Sequence, residues 1–87
     1  MLTVAKLTVF IKYRWDLRHF HKQSTAAEAA LMADIDWYAT VELLEDLRLY
    51  HKNLVSKEYA AKIHANLLAA CADEATAQTL LGYASTL

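Results

Sequence analysis

The sequence predicts an all-α fold, and three observations carry that expectation. Proline is absent and Gly82 is the only glycine, whereas hairpins draw on those two residues for their turns. Good helix formers run without a breaker over long stretches, with apolar residues at helical spacing. Helix-start chemistry, a Ser, Thr or Asp ahead of an apolar run, recurs at Thr25, Ser56 and Asp73. The expectation is a single helical domain over residues 1–87, a small three- to four-helix bundle that forms a homodimer.

The N-terminal segment reads in two ways. Leu7, Val9, Ile11, Tyr13, Trp15 and Leu17 alternate with mostly polar neighbours, the pattern of a half-buried strand. As a helix, the segment sets Phe10, Tyr13, Leu17 and Phe20 on one side and Leu7, Ile11 and Trp15 on another, as in a helix gripped from both sides. A strand needs a partner, and nothing else in the chain reads as one. Helix is therefore the preferred reading, with an intermolecular strand across a dimer as the alternative for residues 7–17.

The second element starts most clearly. With Thr25 as N-cap, Glu28 stands where its carboxylate can return a bond to the Thr25 amide, a capping box. The run from there to about Lys52 holds no breaker. As one helix it gathers Ala30, Ala33, Trp37, Val41, Leu44 and Leu47 on one face, with Glu28, Asp34, Glu42, Glu45 and Asp46 mostly opposite. Asn53 suits the left-handed position that ends it. Ser56 then caps a third helix over 57–72, with Tyr59, Ile63, Leu67, Ala70 and Cys71 inward. Continued unbroken, that helix would bring Glu74 into its own apolar face, so a break is expected at Asp73, which caps a fourth helix to about Ala84. A second helix of about 40 Å at 1.5 Å per residue outreaches the third, and this mismatch is the length argument for a dimer.

Charge is sorted along the chain. Residues 1–24 carry Lys6, Lys12, Arg14, Arg18 and Lys22 against Asp16; residues 25–50 carry Glu28, Asp34, Asp36, Glu42, Glu45 and Asp46 against Arg48; the net charge is −1. Such poles pair internally, pair across a dimer, or serve different partners. Cys71 is the single cysteine, so no internal disulfide forms and a reducing compartment fits. The charge-free runs are far too short for a membrane span. A cytoplasmic location is expected, with no membrane contact.

The motifs exclude more than they name. No nucleophile with a base beside it, no paired-carboxylate pattern and no glycine-rich phosphate loop is present, so no catalytic residue, cofactor or metal is assigned. His19, His21, His51 and His64 lack ligand spacing for zinc. Asp36, Arg48 and His51 fall on or beside the apolar face of the second helix, where a structural pair, Asp36 with Arg48 across antiparallel copies, is the plain account. Leu31, Ile35, Tyr38 and Leu49 fall on its charged side, where they form a partner surface or, equally, pack against the N-terminal helix, and Arg48 is a residue type that dominates interface energies.

The expected function is therefore a non-enzymatic protein–protein interaction module. It would be a small regulator or inhibitor that binds a host or partner protein through a helical surface formed by Leu31, Ile35, Tyr38, Arg48 and Leu49. The alternative is a dimeric nucleic-acid-binding regulator using Lys12, Arg14, Arg18 and Lys22, interleaved with the rings of Tyr13, Trp15 and Phe20. A third reading is a metal-free ribonuclease with Arg14 and His19 in the active site.

Overall fold

A computed structural model describes all residues, 1–87. It contains six helices: α1 (Val4–Lys12), α2 (Leu17–Gln23), α3 (Ala26–Leu31), α4 (Trp37–His51), α5 (Lys57–Ala70) and α6 (Glu74–Ala84). α4 packs against α5 and α6, and α1 lies along α6. The N-terminus is tied to the α5–α6 junction, where the Leu2 amide donates to the Ala70 carbonyl and the Ala72 amide to the Leu2 carbonyl, both at 2.8 Å. No helix is long and apolar enough to cross a membrane.

Four end signals read from the sequence form as expected. Thr25 and Glu28 make the reciprocal capping box, Ser56 accepts from the Tyr59 amide, Asp73 accepts from the Thr76 amide and hydroxyl, and Asn53 takes a φ of 57°. Residues 7–17 form no strand; they are helical to Lys12 and again from Leu17, with a turn between.

Two expectations need correction. The first concerns residues 4–23, which form two helices instead of one. α1 ends on a turn in which Arg14 and Trp15 both adopt left-handed backbone, at φ 56° and 63°. The Arg14 amide donates to Ile11 and the Trp15 amide to Phe10, the paired bonds of a Schellman motif. Asp16 then caps α2 through the Arg18 and His19 amides.

The second concerns residues 25–52, which are not one helix. The chain turns over Met32–Asp36, and Asp36 caps α4 by accepting from the Ala39 amide at 3.0 Å. The reason is tertiary. The turn lets Trp37 reach the aromatic core, with its ring 4.9 Å from Phe10 and 5.1 Å from Phe20, while its indole N–H donates to the Trp15 carbonyl at 3.1 Å. The helical frame rotates at the break, so Met32, Thr40 and Leu43 are buried while Ala30 and Ala33 are exposed. In α5, Ile63, Leu67 and the following Cys71 are buried as expected, whereas Tyr59 is exposed. The long helix that supported the length argument for a dimer is absent.

Part of the sorted charge pairs within the chain. Lys6 reaches Asp34 and Lys12 reaches Glu28, each at 2.7 Å, linking α1 to α3 and to the turn after it.

Candidate protein-binding surface

The break before α4 creates a surface feature. α2, α3 and the first turn of α4 surround an open cleft of about 780 Å³. Its floor is Phe20, Met32 and Trp37, all buried. From α2, Leu17, Phe20, His21 and Ser24 face it, at the i, i+3, i+4, i+7 spacing of a single helix face. Asp34, Ile35 and Asp36 from the turn also line it. Tyr38 forms the lip and is 74% exposed, the most exposed large apolar side chain of the chain.

The charged residues that line the cleft are acidic, Asp34 and Asp36. Arg18 and Lys22 lie on α2 outside the lining, are exposed, and meet no carboxylate. Asp36 uses one carboxylate oxygen on the Ala39 amide and meets no cation. Asp34 is held by Lys6, whose ammonium hydrogen bond lowers the aspartate's pKa.

Beside the cleft, Glu28 is the most strongly perturbed group. Lys12, the Thr25 amide and the Tyr13 hydroxyl all donate to it and pull its pKa down to about 2. The same contact raises the pKa of Lys12 and of Tyr13. The group acts as a clamp between α1 and α3.

The five residues read as a single surface fall into two places. Ile35 and Tyr38 line the cleft, and Leu31 lies half-buried against the core behind it. Leu49 and Arg48 sit at the other end of α4, about 16 Å along the helix at 1.5 Å per residue. Arg48 pairs with Glu45 at 3.0 Å, and its Nε is buried without a partner. Asp36, expected to pair with Arg48 across antiparallel copies, caps α4 through one carboxylate oxygen on the Ala39 amide.

Of the basic residues, Lys12 is engaged by Glu28, whereas Arg14, Arg18 and Lys22 remain exposed. The interleaved rings are withdrawn: Tyr13 and Phe20 are buried, and Trp15 is half-buried with its indole N–H on the Tyr83 hydroxyl at 3.0 Å. The imidazoles lie apart, His19 edge-on to Tyr13 and both His51 and His64 near Tyr50, and no group of three or more metal-ligating side chains converges.

The contribution of α2 to the cleft was missed from sequence. Its signal was the spacing of Leu17, Phe20, His21 and Ser24, visible only if α2 is separated from α1. Leu54 and Leu68, 67% and 65% exposed, lie outside the cleft. Comparison with known proteins finds no matching family, no matching curated protein and no matching solved structure.

Proposed function

We propose that this chain is a non-enzymatic protein–protein interaction module, a small regulator or inhibitor whose binding face is the cleft under Tyr38. The observation that carries this reading is the tyrosine itself, 74% exposed beside a cleft floored by Phe20, Met32 and Trp37. Water gains little from such a ring, whereas a partner gains much. An aromatic anchor over an apolar depression, rimmed by charge, has the composition of an interface centre. A single Tyr38→Asp substitution tests it. Tyr38 touches little of the core, so helix content and melting temperature stay near wild type while partner binding falls at least tenfold, read by calorimetry and quantitative pull-down. Unchanged capture by the variant refutes the cleft as the binding face.

A second reading draws on Arg14, Arg18 and Lys22, which are exposed and meet no carboxylate. A nucleic-acid regulator would use them on phosphates, with affinity falling steeply in salt. Burial of Tyr13 and Phe20 and half-burial of Trp15 leave little ring surface for base stacking, and we rank this reading second.

A further inference from the structure

We propose that a second surface, the groove between α4 and α5, receives the basic face of α2 from another copy of this chain. The groove encloses about 360 Å³. Its small side chains, Ala39 of α4 with Ala69 and Ala70 of α5, let a helix approach closely. The only charged groups in its lining are Glu42 and Asp46. Neither meets a cation, and Lys57 and Lys62, the lysines of α5, pair with neither. Asp46 accepts from the Tyr59 hydroxyl at 3.2 Å. The charge of Asp46, with this hydrogen bond and the charge of Glu42, raises the pKa of Tyr59, so the groove carries an uncompensated negative field.

The complement stands on α2. Lys6 and Lys12 have carboxylates within the chain, whereas Arg18 and Lys22 are exposed and meet none. Arg18 and Lys22 are four residues apart on α2, and Glu42 and Asp46 are four residues apart on α4. Each pair therefore lies about 5–6 Å apart along its helix, where like charges repel, and no ion pair within the chain relieves either. Laid along the groove, α2 of another copy sets cation against carboxylate twice at matched spacing, and the arginine and lysine stems cover the alanines. The chain itself carries both halves of the match, which selects a second copy as the occupant. The contact is heterologous, so the assembly continues head to tail or closes as a ring. It leaves free the face of α2 that lines the Tyr38 cleft.

Sedimentation velocity of the full chain tests the contact in about 0.01 M and about 0.15 M salt, where charges are screened over about 30 Å and 8 Å. Wild type is expected to gain mass with concentration up to about 1 mM, more steeply in low salt. Two variants reverse one side each: Glu42→Lys with Asp46→Lys, and Arg18→Glu with Lys22→Glu. Each alone opposes like charges and should weaken association at least about tenfold. Mixed in equal amounts, the two present opposite signs at every contact, so association should return. Glu42→Gln with Asp46→Asn removes the charge of the groove while leaving an acceptor for Tyr59. It too should weaken association, and it replaces the lysine variant if circular dichroism finds that one unfolded. Tyr38→Asp should leave association unchanged.

A wild type that stays monomeric at about 1 mM in low salt overturns the proposal. So does an assembly indifferent to both reversals, or a mixture of folded reversals that stays monomeric. Association lost in Tyr38→Asp but kept in both reversals makes the cleft the contact between copies, and the groove is then the wrong site. Failure of the groove leaves the cleft reading standing, because capture of a partner through Tyr38 uses none of these four charges.

Discussion

α1 and α4 end on the same hydrogen-bond pattern, but they secure it by different means. At each end the chain turns left-handed and donates two amides back: Arg14 to Ile11 and Trp15 to Phe10 after α1, Asn53 to Tyr50 and Leu54 to Leu49 after α4. After α4 the left-handed position falls to asparagine, a residue that tolerates it, and the next side chain, Leu54, is 67% exposed. After α1 it falls to arginine and then to tryptophan, neither of which favours positive φ. There the turn is enforced from outside. Trp15 stacks on Phe10 with ring centres 6.0 Å apart and planes 14° from parallel, donates to Tyr83, and accepts from Trp37. Beneath it, Glu28 grips Lys12, the last residue of α1, and Tyr13, its C-cap. A turn made locally can stand exposed, whereas one made against residue preference needs long-range contacts.

Three experiments probe that contrast, beginning with the largest effect. Trp15→Ala removes the stack and the bond to Tyr83, and is expected to cost about 3 kcal/mol, in the range for tryptophan truncation. Leu54→Ala at the equivalent position should cost no more than about 0.5 kcal/mol, as for surface changes generally. Urea denaturation of the two variants reads both, and equal losses would mean that the two ends are held alike.

Arg14→Gly should stabilise the fold. It relieves about 1–2 kcal/mol of left-handed strain and gives back about 0.5–1 kcal/mol through the freer unfolded chain. The net gain is smaller than the loss at Trp15. Asn53→Gly should change stability by only a few tenths of a kcal/mol, because asparagine already tolerates the position. Thermal melts compare the pair, and a larger gain at Asn53 would reverse the assignment of strain.

The smallest effect appears only in acid. Glu28 is held near a pKa of about 2 by Lys12, the Thr25 amide and the Tyr13 hydroxyl, against an ordinary glutamate value of 4.5. A carboxylate with a depressed folded-state pKa contributes stability that is fully present above its unfolded value and is lost as pH falls through the folded one. The clamp therefore weakens between about pH 4.5 and 2. Glu28→Gln, which keeps the capping-box geometry, should flatten the pH dependence of stability in that window. The Trp15 indole proton in NMR spectra should report loosening of the α1 end over the same range, with the Asn53 amide unaffected. An unchanged acid profile in the glutamine variant would remove Glu28 from the account.

The cleft was half legible for a related reason. An aromatic residue on the charged side of a helix either meets a partner or packs against the N-terminal helix; Tyr38 is exposed, whereas Leu31 and Ile35 pack against the core. The grouping of Tyr38 with Arg48 and Leu49 assumed an uninterrupted helix. Arg48 has its partner in Glu45, and the companions of Tyr38 come from α2 and from the 32–36 turn.

From its sequence alone, the chain determined its all-helical class and the ends at Thr25, Ser56, Asp73 and Asn53. Each of those ends is closed by bonds within about five residues, so its chemistry can be read in place. Tertiary structure decided the breaks at Arg14–Trp15 and at Met32–Asp36, and with them the cleft. Asp16 and Asp36 are good caps, but nothing beside them in the chain favours a turn over continued helix. The balance is tipped by Trp15 meeting Tyr83 and by Trp37 meeting Phe10, Phe20 and the Trp15 carbonyl. These contacts span 17 to 68 residues, and their stabilisation exists only once the chain has folded.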